Sequence, residues 1–222
     1  MGRNLGIAGV ILVAILMETG LWNMWQADIS YAMGKNLDGA RQYVNAYTYL
    51  SRATEANPGE PTYRDELSYN QAVLASALFT QINNATASTI ASLSAREKLT
   101  LKIPQLDASV DDLVGQAVSN SDRIVAASPD SLPFWKNRTK IFYQLAVIDP
   151  KHYSQALEAL KTATNLAPTD AKVWYNYGLL LGRVGNLPEG IKILQKTVAM
   201  KPDYTDAKTT LLEFEKELNA KK

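Results

Sequence analysis

One apolar pattern recurs along this chain and ends in proline each time. Pro168 and Pro202 are 202 − 168 = 34 residues apart. Ahead of three prolines, apolar and small residues follow the same helical spacing. The three sets are Tyr43, Ala46, Tyr47, Leu50, Ala53 and Pro58; Tyr153, Ala156, Leu157, Leu160, Ala163 and Pro168; and Leu187, Gly190, Ile191, Leu194, Thr197 and Pro202. Such a repeat predicts helical hairpins that stack and bury a shared apolar seam.

A second helix precedes each of these stripes. In the last unit Trp174 and Gly178 share one face, and Gly185 is expected to end the helix. Gly34 stands in the first unit where Gly178 stands in the last. Large residues that meet small ones allow two helices to interlock. Because Gly190 replaces the alanine of the other sets, we expect the last hairpin to be looser.

This pattern resembles the tetratricopeptide repeat (TPR), whose unit of 34 residues carries small residues at fixed places in both helices. Trp174, Gly178, Gly185 and Pro202 match it. The resemblance implies an all-α protein, in which an N-terminal hydrophobic (transmembrane) helix precedes a TPR-type α-solenoid. We expect about four helix pairs and a C-terminal capping helix.

The repeats predict the following organisation of the chain. A hydrophobic helix at residues 1–27 precedes a repeat domain at 28–222, with repeats at about 28–58, 62–129, 131–168 and 170–202 and a capping helix at 203–220. Since 129 − 58 = 71 residues exceeds two units, the second repeat contains either an insertion near 81–104 or a degenerate extra repeat. The capping helix is expected to bury Leu211, Leu212, Phe214 and Leu218. Asp149 and Asp170 are expected to cap helices.

The N-terminal stretch is apolar enough to predict a membrane anchor. From Leu5 to Met17 every residue is apolar or glycine, and residues 5–25 as a helix would reach about 31 Å. Trp22 and Trp25 are then membrane-interface residues, and Arg3 predicts a cytoplasmic N-terminus. The predicted location is the bacterial cytoplasmic membrane, single-pass, with the repeat domain outside. A cleaved signal peptide and a helix buried in a protein assembly are the alternatives.

Nothing in the sequence indicates an enzyme, and we predict no catalytic residues, cofactors or metal ligands. The formal net charge is +1, without the basic stripe that nucleic acid requires, so no nucleic-acid partner is expected. The absence of cysteine excludes disulfides and thiolate sites. The single histidine, His152, is predicted to be an exposed surface residue.

Helical repeats bind partners along the concave wall formed by the first helix of each unit. The side chains predicted to line this wall are Lys136, Asn137, Lys140, Lys172, Tyr175, Asn176, Leu179 and Arg183. Lys172, Asn176 and Arg183 are suited to a peptide carboxylate or an acidic sugar. The alternative is that these are ordinary solvated side chains.

A second resemblance concerns the order of features. An apolar helix that continues into "ADISYAMGKNLDGARQYVNAYTYLSRATEANPGEPTYRDELS" and later "FWKNRTKIFYQLAVIDPKHYSQALEALKTATNLAPTDAKVWYNYGLL" is similar to the repeat region after the last membrane helix of bacterial O-antigen ligase or polymerase-like envelope proteins. It implies a cell-envelope setting near glycan assembly. Transferase activity is not carried over, because the multi-spanning catalytic region is missing.

The leading functional prediction is a non-enzymatic, membrane-anchored scaffold for protein–protein interaction outside the cytoplasmic membrane. Its expected partner is a protein or peptide, including a membrane glycan ligase or polymerase, with the membrane contacted by residues 5–25. The first alternative is an accessory or detached part of an O-antigen ligase or polymerase-type system. The second is a self-assembling subunit, a homo-oligomer or filament packed through its N-terminal helices.

Overall fold

Helices form the regular structure of this chain in the computed structural model, which describes residues 2–84 and 110–221; no strand occurs in those ranges. In chain order they are α1 (Gly2–Gly39), α2 (Tyr43–Ala56), α3 (Pro61–Asn84), α4 (Val110–Ala127), α5 (Leu132–Leu145), α6 (His152–Leu166), α7 (Ala171–Arg183), α8 (Leu187–Met200) and α9 (Thr205–Ala220). The all-α prediction is confirmed. The insertion predicted near 81–104 lies almost entirely outside the described residues.

The chain divides into two compact units, unit 1 at residues 1–120 and unit 2 at 121–222. Within unit 1, α1 and α2 form a hairpin and α3 packs beside both. Within unit 2, α5 pairs with α6 and α7 pairs with α8, and α9 covers the far side of α8. Each unit is therefore a stack of antiparallel helical hairpins, as the repeated stripes predicted.

The glycine interlock occurs at equivalent places in both units. A Cβ atom on Gly34 would lie 2.7 Å from Cγ of Leu50, and one on Gly178 would lie 3.0 Å from Cγ of Leu194. Both intervals are the same, 178 − 34 = 144 and 194 − 50 = 144. The leucine of each stripe therefore fills the space left by the missing side chain on the partner helix.

The hairpin of α7 and α8 is closer than its sequence suggested. A Cβ atom on Gly190 would lie 3.0 Å from both the Gly178 oxygen and the Gly182 nitrogen, which are backbone atoms. Gly190 is thus the residue that lets the two helix backbones meet, so its lack of a side chain tightens this hairpin. Thr197, the other departure from alanine, is fully buried and donates its hydroxyl to the Ile193 carbonyl.

A hydrogen bond not expected from the sequence closes each turn between hairpins. Six residues after the proline that ends a unit, a side-chain N–H donates to that proline's carbonyl. The three pairs are Arg64 Nη2 with Pro58 at 3.3 Å, Trp135 Nε1 with Pro129 at 2.7 Å, and Trp174 Nε1 with Pro168 at 3.0 Å. The arrangement is shared by both units although the donor changes from arginine to tryptophan.

The helix ends follow the sequence with one exception. Asp170 caps α7 by accepting from the backbone N–H groups of Lys172 and Val173, and Gly185 ends the helix with a φ of +92°, a conformation that favours glycine. Asp149 does not cap α6, because that helix begins two residues later than its Asp–Pro pair would require.

Two predictions about burial are wrong. Leu212 is 66% exposed because it lies on the outer side of α9, whereas Phe214 carries the contact with the core. His152 is 5% exposed: its ring stacks on Phe142 of α5 with centroids 5.8 Å apart, and its Nδ1 lies against Gln155 Oε1. A histidine at the start of a second helix is thus drawn into the hairpin core.

Helix α1 corrects the location predicted for this protein. In the ranges 2–84 and 110–221, no helix is both long enough and apolar enough to cross a membrane. Where its side chains are described, α1 carries Glu18, Gln26 and Asp28, and such groups are costly in hydrocarbon. The prediction of a single-pass membrane protein with Trp22 and Trp25 at the membrane interface is therefore wrong.

Candidate functional site

The first helices of the two hairpins in unit 2 carry charges of only one sign. Neither α5 nor α7 contains an aspartate or a glutamate. Their charged residues are Lys136, Arg138, Lys140, Lys172 and Arg183. By contrast, α6, α8 and α9 mix acidic and basic residues. The predicted lining residues thus belong to a cationic pair of helices.

Two side-chain contacts join α5 to α7, one at each end. Near the N-terminal ends, Lys136 Nζ lies 3.6 Å from Oδ2 of the capping residue Asp170. Near the C-terminal ends, Arg183 Nη1 donates to the Tyr143 hydroxyl at 2.7 Å. The two helices therefore run side by side in the same direction. Together they form one wall of unit 2, along which Lys136 and Arg183 mark the two ends.

The Tyr143 contact extends to the second helix of the hairpin. The rings of Tyr143 and Tyr153 meet edge to face with centroids 5.9 Å apart. Tyr143 stands where Gly182 stands in the next hairpin, since 182 − 143 = 39 is also the interval from Pro129 to Pro168. Sequence analysis did not select Tyr143, although this alignment would have placed it next to the predicted lining residues.

The other predicted residues of α5 lie between these two contacts. Asn137 is half-buried and Lys140 is exposed. On α7, Lys172 is exposed and Asn176 is half-buried. Lys136, Lys140, Lys172 and Arg183 therefore give the wall its positive charge.

Two predicted lining residues serve mainly to hold α9. Tyr175 and Leu179 pack against the apolar cluster that contains Leu194 and Phe214. The Tyr175 hydroxyl also lies 3.3 Å from Thr210 Oγ1 of α9. These side chains were predicted to contact a ligand, and the structure gives them a role in closing the last hairpin.

Arg138 is a cation of α5 that sequence analysis missed. Its Nη1 lies 2.7 Å from Asp122 Oδ1 and donates to Ser121 Oγ at 3.0 Å. The guanidinium also lies 4.6 Å from the centre of the Phe142 ring. Arg138 therefore ties α5 to the end of α4, and its charge is neutralised within unit 2.

Unit 1 joins its first helices differently, through a polar seam between α1 and α3. Three pairs make this seam: Tyr63 donates to Asp28, Lys35 Nζ lies 3.9 Å from Glu66 Oε2, and Asn70 Nδ2 donates to Asp38 Oδ1 at 2.8 Å. Each pair satisfies its own charge or dipole. The seam therefore leaves no field of a single sign, unlike the wall of unit 2.

Burial shifts the acid–base properties of two seam residues. Burial, together with the hydrogen bond to Asp28, raises the pKa of Tyr63 to about 12, so its phenol stays protonated and continues to donate. Burial also raises the pKa of the Asp38 carboxyl, and the hydrogen bond from Asn70 partly opposes that rise. Both shifts are consistent with structural pairs between helices.

The described residues hold no cluster of three or more histidine or acidic side chains suited to a metal ion. Trp22 and Trp25 lie side by side on α1, with ring centroids 5.0 Å apart and more than half of each side chain exposed. They are far along the chain from the cationic wall and belong to a separate surface.

The hairpin units, the glycine interlock and the proline-terminated second helices define a TPR-type solenoid fold. This class of protein was the one predicted from the repeat pattern.

Solved structures of helical-repeat proteins are similar to this chain. TTC0263, a thermophilic TPR protein of Thermus thermophilus, matches with a TM-score of 0.55 and 20% identity over 86% of this chain and 82% of that one. MamA from Desulfovibrio magneticus RS-1 matches with a TM-score of 0.55 and 16% identity over 87% and 86%. Pseudomonas aeruginosa PilF matches with a TM-score of 0.56 and 12% identity over 89% and 71%.

At these identities the likeness concerns the fold alone. No protein-family profile matches the sequence, and no curated protein matches it. The resemblance to the repeat region of O-antigen ligases stays a prediction, because these matches do not bear on it.

Proposed function

We propose that this protein is a non-enzymatic interaction scaffold that binds an acidic segment of a partner protein along α5 and α7. The observation that carries the proposal is the absence of any acidic residue from both helices, which are the first helices of their hairpins. Charges of one sign along a surface favour a partner of the opposite sign and speed its approach.

The spacing of the wall suits an extended peptide. Lys136 and Arg183 stand at opposite ends, and their current partners, Asp170 and the Tyr143 hydroxyl, are weak enough to be exchanged. The Lys136–Asp170 contact is partly exposed at 3.6 Å, and such surface ion pairs contribute about 0–1 kcal/mol. A carboxylate from a partner therefore competes with Asp170 at little cost.

Binding of fluorescent peptides to the full chain tests the proposal. An acidic peptide should bind at low ionic strength and weaken as salt is raised, because surface charge attraction is screened. Lys172→Glu should weaken that binding by about five- to tenfold, which corresponds to about 1–1.4 kcal/mol.

Lys192→Glu is the matched control, because Lys192 is an exposed lysine of α8, a second helix. The control should bind as the unchanged protein does. Equal loss in both variants would contradict a site on α5 and α7. Binding of an acidic polysaccharide but not of any acidic peptide would contradict the protein partner.

A partner in glycan assembly remains the alternative that follows from the second sequence resemblance. Co-purification of a multi-spanning ligase or polymerase with the full chain, lost in Lys172→Glu, would make that enzyme the acidic partner. Glycan assembly that is unchanged when this protein is removed would count against the link.

A further inference from the structure

An apolar stripe runs along one side of α1. Its members are Ile15, Trp22, Trp25, Ile29 and Met33, each between 44% and 58% exposed. At 3.6 residues per turn, they fall within one sector of roughly 80° around the helix. Ala27 and Gly34, which pack inside unit 1, lie on a different side. The stripe is therefore separate from the packing that holds α1 in its own unit.

The stripe is large for an exposed apolar surface. From their exposed fractions, its five side chains present roughly 600 Å² to solvent, which exceeds the few hundred Å² usual for a monomer. A standard interface buries about 800 Å² on each partner. The stripe with its flanking residues on α1 and α2 is thus about the size that a dimer requires.

We propose that this stripe is the interface of a two-fold dimer in which the α1 helices of two copies pack antiparallel. When Ile15 of one copy lies level with Met33 of the other, the helices cross their two-fold axis near residue 24. Trp22 and Trp25 of both copies then lie within about one helical turn of that axis. Four indole rings meet at the centre, the usual place of the strongest contacts in an interface.

Charges are complementary in the same register. Glu18 of one copy lies level with Ser30 of the other, since both pairs of positions add to 48. Arg52 of α2 is at that level too, because Leu50 contacts Gly34 and Ala53 packs with Ala27. Arg52 lines the same open groove between α1 and α2 as Met33. Glu18 therefore reaches an arginine on the opposite copy, at each end of the stripe.

Two-fold symmetry also limits the size of the assembly. Each copy uses its stripe once and presents the same surface that it contacts, so the contact closes at two copies. This differs from the filament predicted from the sequence, which needs two different surfaces per copy. It is also independent of the cationic wall, which lies in unit 2.

Analytical ultracentrifugation of the full chain tests the dimer. We expect a dimer at micromolar concentration and a monomer for Trp22→Asp, which places a carboxylate near the two-fold axis. Met17→Asp is the matched control, because Met17 is 66% exposed on α1 but off the stripe, and this variant should remain dimeric. Loss of the dimer in both variants, or a monomer for the unchanged chain, would overturn the proposal.

Charge exchange tests the register. Glu18→Lys should weaken the dimer by about tenfold, and adding Arg52→Glu should restore most of that loss. Failure of the second change to restore association would place Glu18 elsewhere and overturn the register.

Engineered cysteines test the direction of the helices, since the chain has none of its own. With Ile15→Cys and Met33→Cys together, oxidation should link two chains. Positions 15 and 33 are about 27 Å apart along one helix, too far for a disulfide within a chain. Crosslinking by Ile15→Cys alone would indicate parallel helices, and co-sedimentation of an otherwise monomeric protein with phosphatidylcholine vesicles would indicate lipid instead. Either result would overturn the proposal.

Discussion

Units 1 and 2 build the same hairpin but differ in the surface that their first helices present. In unit 1, α1 and α3 join through pairs that neutralise themselves, such as Lys35 with Glu66 and Asn70 with Asp38. In unit 2, α5 and α7 carry only cations, with Asp170 as an acidic neighbour at the cap of α7. The interlock and the proline turns are shared, so these belong to the scaffold. The charge of the first helices is free to differ, and that is where binding specificity can reside.

The largest effect should come from breaking the shared interlock. Gly190→Val should lower the free energy of unfolding by about 3 kcal/mol, because its side chain would meet the backbone of α7 at Gly178 and Gly182. Urea unfolding followed by helical circular dichroism measures the loss.

Gly115→Ala in α4 is the control for this change. A Cβ atom there has no neighbour within 4 Å, so alanine should stabilise by about 0.5–1 kcal/mol through the unfolded chain. A Gly190→Val protein as stable as the unchanged one would mean that the α7 and α8 backbones do not meet.

A smaller effect should come from the polar tie that is particular to unit 2. Arg138→Met should cost about 2 kcal/mol, because Arg138 makes a close ion pair with Asp122 and lies over Phe142. Arg138→Lys should recover less than half of that loss, since an ammonium cannot make both contacts.

Lys192→Met supplies the comparison for an exposed ion pair and should cost less than about 0.5 kcal/mol. The same urea series measures all three proteins. If Arg138→Met and Lys192→Met lose equal stability, the tie between α4 and α5 is no stronger than a surface ion pair.

The proline turns give a direct comparison between the units. Trp174→Phe should cost about 1 kcal/mol through loss of the hydrogen bond to Pro168 and weaker contact with Lys196, whose Nζ lies 3.3 Å from the ring centre. Arg64→Met, the equivalent change in unit 1, should cost less because its bond to Pro58 is longer, at 3.3 Å. Thermal unfolding ranks the two, and a larger loss for Arg64→Met would contradict the ranking.

The smallest effect concerns pH and belongs to the seam of unit 1. Since burial raises the pKa of Asp38, the folded state holds that proton more tightly than the unfolded state. The contribution of Asp38 to stability therefore falls as pH rises from the unfolded to the folded pKa. Asp38→Asn removes this dependence, so its stability relative to the unchanged protein should increase from about pH 3.5 to pH 7. A constant difference across that range would show that Asp38 is not desolvated.

Most of the scaffold was predictable, because its determinants are local or repeat at a fixed interval. The stripes located the second helices, and Gly34 was matched to Gly178 before the Leu50 and Leu194 contacts were known. The candidate wall was predictable only in part. Its cations follow from helix phase, but Tyr175 and Leu179 have the same phase and pack against the cluster that holds α9.

The remaining features depend on residues distant in sequence. Nothing near Arg138 in the sequence indicates that it would reach Asp122, and Tyr143 was passed over because its partner Arg183 is 40 residues away. His152 was judged by its polarity, and its burial required the Phe142 ring.

The order of amino acids alone determined that this chain forms helical hairpins with a TPR pitch, because spacing, proline and glycine act within a few residues of themselves. Tertiary structure decided how closely the hairpins approach, which cations are neutralised and which side of α1 stays exposed. Those outcomes depend on the distance between atoms of different helices, which helical spacing along one chain does not specify.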